Sequence, residues 1–79
     1  MPVNQIFDSL TEIFQTVFDD DSLVATPELT AKDIDEWDSL SNLRLMLTVE
    51  KHFKVKFSAA EIGKLKNVGE LAALIQSKL

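Results

Sequence analysis

The 79-residue chain has no cysteine, so no disulfide can staple it, and neither a Cys/His catalytic pair nor a thiolate zinc site can be assembled. Histidine is almost as scarce: His52 stands alone beside Lys51, on what the spacing makes the polar side of a helix. No apolar run approaches the roughly 20 residues that span a bilayer, which excludes membrane insertion. The first residues, MPVNQIFDSL, lack a basic leader followed by an apolar stretch. No secretory signal is therefore expected, and the expected location is the cytoplasm. Positive charge is in deficit, with eight Lys and Arg against thirteen Asp and Glu and a formal net charge of -5. Such a field repels nucleic-acid phosphates and favours partners with basic surfaces. Asp19, Asp20 and Asp21 lack the alternating ligands and the glycine of an EF-hand, so no calcium loop, and no metal site of any kind, is expected.

What is present is the composition of a small globular domain, 46% hydrophobic and 27% charged. One domain, residues 1–79, is expected, with a core of marginal size for its surface. Residues 3–18 place Val3, Ile6, Phe7, Leu10, Ile13, Phe14 and Val17 at spacings of three and four, the stripe of an amphipathic helix. From Asp19 to Asp38 the periodicity disappears, and Pro27 with many Asp, Thr and Ser residues predicts a long connection. A turn capped by Thr30 is expected within it, and Leu23, Val24, Leu29 and Ile34 are expected to pin it to the bundle.

A second helix is expected over about 39–52, where Leu40, Leu43, Leu45, Met46, Leu47, Val49 and Phe53 follow without proline or glycine. These positions cover an arc of about 220°, wider than the stripe of about 100° that a surface helix needs. Part of that arc is therefore available for something other than the core, and Leu43 and Leu47, at one edge of it, are the candidates for a partner surface. Phe53-Lys54-Val55-Lys56-Phe57 alternates like a strand but has no partner strand, and reads as an extended link. Ser58-Ala59-Ala60-Glu61 matches a capping box before a short helix of about 59–64. Asn67-Val68-Gly69-Glu70 opens the last helix, about 68–78, with Val68, Leu71, Ala72, Ile75 and Leu79 as its stripe. The fold class is all-α: three main helices, one short helix, and a long loop between the first two.

The tripeptide Asp-Ser-Leu occurs three times, at 8–10, 21–23 and 38–40. Ser9 falls inside the first helix and Ser22 at the start of the loop with no helix after it. Ser39 joins the loop to the first turn of the leucine-rich helix, where free backbone amides and the macrodipole favour an anion. The same position suits a plain helix cap, since Asp38 and Ser39 are both favoured cap residues.

In its first amphipathic helix, long loop, DSL at 38–40, LRLMLTVEKHFKVKFSAAEI and closing NVGELAALI, the chain resembles the acyl carrier proteins and the related peptidyl and aryl carrier domains. The resemblance covers nearly the whole chain. It implies a 4′-phosphopantetheine arm, derived from coenzyme A, on Ser39, with Asp38 and Leu40 as the flanking motif. It implies acyl intermediates held as thioesters for lipid, polyketide or other specialised biosynthesis by a monomeric carrier with no catalytic site of its own. The implied partners are a phosphopantetheinyl transferase, an acyl-loading ligase or acyltransferase, and a downstream synthase or transferase. Ser41, Leu43, Arg44, Leu47 and Glu50 are the implied partner-binding positions. Fatty-acid-synthesis carriers usually present carboxylates there, whereas this chain keeps Glu50 but has Ser41, Asn42, Arg44 and Lys51. With Trp37 before the motif, that points to a specialised carrier. The alternatives are an aminoacyl or peptidyl carrier, or a helical interaction module that needs no prosthetic group.

Overall fold

The computed structural model describes residues 2–79. Four α-helices follow one another, α1 (Val3–Phe18), α2 (Ser39–Phe53), α3 (Ala59–Gly63) and α4 (Val68–Lys78), with one 3₁₀ turn at Ala31–Asp33 and no strand among the described residues. The fold is the all-α arrangement that the hydrophobic spacing predicts. α2 runs one residue further than expected, through Phe53, and α3 stops one residue earlier, at Gly63.

α1 buries Ile6, Leu10, Ile13, Phe14 and Phe18 and packs against α2 and α4. Val3, at the outer end of its stripe, is exposed. The helix stops at Asp19, which takes the left-handed conformation with φ of 51° that Asp tolerates better than most residues. α2 contributes Leu45, Met46, Val49 and Phe53 to the core, and α4 contributes Val68, Leu71, Ala72 and Ile75. Leu79, expected at the end of the α4 stripe, is exposed.

The connection over 19–38 has little regular structure, so its backbone groups must find partners elsewhere. Gln15 Nε2 donates to the carbonyls of Asp21 and Leu23, at 3.2 and 3.0 Å. The Ala25 amide donates to Thr11 Oγ1 at 2.9 Å, so this part of the loop runs back along α1. The carbonyls of Pro27 and Leu29 accept from Gly69 and Val68, at 3.0 and 2.9 Å, which fastens the loop to the start of α4. In the 3₁₀ turn the Asp33 carboxylate accepts from the Thr30 amide at 2.9 Å and from the Thr30 hydroxyl at 3.2 Å. Leu23 and Leu29 pack against the core and Ile34 is buried, as expected. Val24 is not a pin: it is 58% exposed, and Ala25 is buried in its place.

The expected link holds, with Val55 buried and Phe57 half-buried. It is fixed by Glu50, whose Oε2 accepts the Phe57 amide at 2.7 Å. The capping box of α3 forms in both directions: Ser58 Oγ accepts the Glu61 amide and Glu61 Oε1 accepts the Ser58 amide. Asn67 Oδ1 caps α4 by accepting the Glu70 amide at 2.9 Å.

The two glycines make a paired test of the loop anchor. A Cβ on Gly69 would stand 3.0 Å from the Pro27 carbonyl oxygen that accepts its own amide, whereas a Cβ on Gly63 would meet nothing within 4 Å. Alanine is favoured over glycine in helices by up to about 1 kcal/mol. Gly63→Ala should therefore raise the melting temperature. Gly69→Ala should lower it, because the Pro27 carbonyl must retreat. Equal gains from both in thermal unfolding would show that the loop anchor yields freely.

Candidate functional site

The three Asp-Ser-Leu serines have different settings. Ser9 is half-buried in the middle of α1. The Ser22 hydroxyl donates to Asp20 Oδ1 at 2.6 Å in a tight local turn. Both bonds from Ser22, hydroxyl and amide, hold the Asp20 carboxyl below its ordinary value. Ser39 is the first residue of α2 and is exposed, and its hydroxyl makes none of the side-chain hydrogen bonds found among the described residues.

That freedom follows from Asp38. Its Oδ1 accepts the Ser41 amide at 2.9 Å, so Asp38 caps α2 and Ser39 does not need to. The bond from the Ser41 amide is also the main reason the Asp38 carboxyl lies below its ordinary value. The stabilisation from this cap is present above the carboxyl's unfolded-state titration range and is lost as pH falls through the lowered folded value.

Trp37 sets the position of Asp38. Its ring meets Phe14 edge-on at 5.3 Å between centroids and lies 5.9 Å from Phe18, and its Nε1 donates to Asn42 Oδ1 at 3.0 Å. The side chain thus ties the end of the loop to α1 through its ring and to α2 through its nitrogen.

Beside Ser39 opens a cleft of about 290 Å³. Trp37, Asp38, Ser39 and Asn42 stand along its α2 side, and Met46, Ile62, Leu65, Val68 and Leu71 supply apolar wall. The contributions of Asn42, of Ile62 in α3 and of Leu65 after it carried no signal in the local sequence, because the cleft exists only where four segments meet.

Of the other singled-out residues, Leu40, Leu43 and Leu47 are 70, 56 and 50% exposed, and Arg44 is exposed with them. At about 100° per residue Leu43 and Leu47 stand at one edge of the apolar arc, as expected, with Leu40 beside them, while Leu45, Met46 and Val49 form its buried part and Ser39 and Glu50 lie between the two. Ser41 is half-buried, with its amide on Asp38. Glu50 is half-buried, with a carboxylate oxygen on the Phe57 amide. Among the described residues no group of His, Cys, Asp and Glu could hold a metal ion, and no helix is long and apolar enough to cross a membrane.

Ser39 thus presents an exposed, unbonded hydroxyl at a helix start, beside a cleft of mixed polar and apolar lining. The family model for the phosphopantetheine attachment site matches residues 8–75. The chain is also similar to the solution structure of a holo acyl carrier protein from Geobacter metallireducens, at 56% identity over 91% of this chain and 83% of that one, with a TM-score of 0.87. A comparison with curated proteins gave no match. The chain belongs to the phosphopantetheine-binding carriers. Within them it belongs to the acyl carrier protein family, whose members bear 4′-phosphopantetheine covalently and carry groups rather than transform them. The site fits such a group: a reachable hydroxyl, first-turn amides of α2 beside it for a phosphate, and a cleft within reach.

Proposed function

We propose that Ser39 bears the 4′-phosphopantetheine and that the chain presents acyl groups to the enzymes of a specialised biosynthetic pathway in the cytoplasm. The observation that carries the assignment is the unengaged, exposed hydroxyl of Ser39, against the bonded hydroxyl of Ser22 and the half-buried Ser9. When attached, the group supplies a long arm ending in a thiol that holds cargo as a thioester. The residues of the chain do the rest. Asp38 closes the first turn of α2 and thereby fixes the direction in which Ser39 projects, while Trp37, the residue before it, anchors the end of the loop on α1. The first-turn amides of α2 face the phosphate position, and their partial positive charge offsets its repulsion by Asp35, Glu36 and Asp38. The same carboxylates favour a transferase with a basic surface.

Acyl rather than aminoacyl cargo is supported by the 56% identity to an acyl carrier protein and by the apolar part of the cleft wall at Met46, Ile62, Leu65, Val68 and Leu71. The specialised pathway is supported by the exposed face of α2, which offers Arg44 and Lys51, while Glu50 is engaged by Phe57. The partners that follow are a phosphopantetheinyl transferase, a loading ligase or acyltransferase, and an acceptor synthase or transferase.

The test is incubation with coenzyme A, magnesium and a broad-specificity phosphopantetheinyl transferase, read by intact mass. A gain of one phosphopantetheine is expected. An unchanged mass under conditions that modify a control carrier would overturn the reading and favour a plain interaction module.

A further inference from the structure

The outward face of α2 has no partner within the molecule. Leu40, Leu43, Arg44, Leu47 and Lys51 fall within one arc of about 100°, opposite the core. Three of the six exposed large hydrophobic side chains of the described residues are these leucines. The face does not stop at the end of the helix. Lys54, in the left-handed conformation with φ of 58°, turns the chain so that Val55 and Lys56 come back beside Leu47. The result is a groove of about 340 Å³ lined by Leu47, Glu50, Lys51, Lys54, Val55 and Lys56.

The charge around this groove is opposite in sign to that of the molecule. Arg44, Lys51, Lys54 and Lys56 are four of the eight Lys and Arg residues in a chain of net charge -5. The one ion pair among the described residues is Lys78 with Glu61, at 3.1 Å, so none of these four has a carboxylate partner there. The single carboxylate in the groove, Glu50, already accepts the Phe57 amide. At the other end of α2, Asp33, Asp35, Glu36 and Asp38 precede Ser39. The 15 residues of α2 separate the two poles by about 22 Å, more than two screening lengths at physiological salt, so a partner meets them as distinct charges.

We propose that this strip docks a protein surface whose apolar ridge is bordered by carboxylates, the ridge lying along Leu40, Leu43 and Leu47 and its far end entering the groove between Leu47 and Val55. Charge complementarity fixes the direction: acidic groups of the partner meet Lys51, Lys54 and Lys56, and its basic groups meet the carboxylates before Ser39. That polarity orients the partner's active site toward Ser39, and in this respect alone the proposal rests on Ser39 being the loaded residue. A partner that is basic along its whole contact surface is rejected at the lysine end.

The experiment uses the unmodified, isotope-labelled protein, so its outcome does not depend on whether Ser39 can be loaded, which the mass test reads separately. The probe is a synthetic helical peptide of about four turns with leucines along one face and glutamates on both flanks. A peptide with lysine in place of every glutamate, and a scrambled acidic peptide without the leucine face, serve as controls. Amide shifts on adding the acidic amphipathic peptide should centre on Leu43, Leu47, Lys51, Lys54, Val55 and Lys56. It should bind at least about fivefold more tightly than either control and weaken severalfold with added salt. The double variant Arg44→Glu, Lys51→Glu, at two exposed helix positions, should lose this binding with an unchanged helical spectrum. Equal binding of the three peptides, shifts centred instead on Lys64 and Lys66, no shifts, or full binding by the double variant would each overturn the proposal.

Discussion

Ser39→Ala leaves a folded protein that gains no phosphopantetheine, while Ser9→Ala and Ser22→Ala gain it as the wild type does. The three tripeptides make the experiment its own control, since the letters are identical and the settings are not. Ser22→Ala removes a 2.6 Å bond within an exposed turn, and Ser9→Ala substitutes a residue in the middle of α1; neither touches the start of α2. The loss in Ser39→Ala cannot be blamed on unfolding, because Asp38 rather than Ser39 caps the helix. Stability should stay within about 0.5 kcal/mol of the wild type, the ordinary range of a surface substitution. Asp38→Ala, by contrast, should cost about 1 kcal/mol through loss of the cap. Intact mass gives the modification and circular dichroism the folded state. A folded Ser39→Ala protein that still gains the arm would refute the assignment.

The helices were legible because each carries its own boundary chemistry in the local sequence. The box at Ser58 and Glu61, Asn67 before Val68, and the stripe from Ile6 to Phe14 all act over one to four residues, the range at which spacing is informative. The place of Ser39 at the loop-to-helix junction was legible for the same reason. What was hidden depends on contacts between distant segments. Whether Val24 or Ala25 faces inward is decided by the Ala25 amide reaching Thr11, fourteen residues away, and nothing in the local sequence signals it. The seven apolar positions of α2 form one broad arc, and hydrophobicity alone does not record which part of it faces a neighbour. Packing by α1 selects Leu45, Met46 and Val49 for the core and leaves Leu40, Leu43 and Leu47 outside. Glu50 matched a partner-binding position by resemblance, yet the fold brings the Phe57 amide to it, seven residues on.

Trp37→Ala should be among the most damaging single changes outside the buried core, although Trp37 is only half-buried. Its ring bridges Phe14 and Phe18 of α1, and its nitrogen reaches Asn42 of α2. Truncation therefore leaves a void against two aromatic rings and an amide oxygen without its donor. Buried Trp and Phe truncations cost about 3–5 kcal/mol, and half-burial places this one near about 3. In a domain of this size the total stability is about 4–12 kcal/mol, so such a loss lowers the melting temperature by ten degrees or more. Trp37→Phe separates the two contributions. It keeps a ring against Phe14 and removes the donor, and should cost about 1 kcal/mol, the net worth of a hydrogen bond. Asn42→Ala removes the other half of that bond and should cost about the same. Chemical denaturation followed by circular dichroism measures all three without relying on Trp37 as the optical signal. The consequence for function is local: with the ring gone, the segment before Ser39 loses its anchor on α1, so Trp37→Ala should also be loaded more slowly than Trp37→Phe at a temperature where both are folded. A Trp37→Ala protein less than about 1 kcal/mol below the wild type would show that the loop holds its place through Ile34 and the Pro27 and Leu29 carbonyls alone, and that the aromatic contacts are incidental.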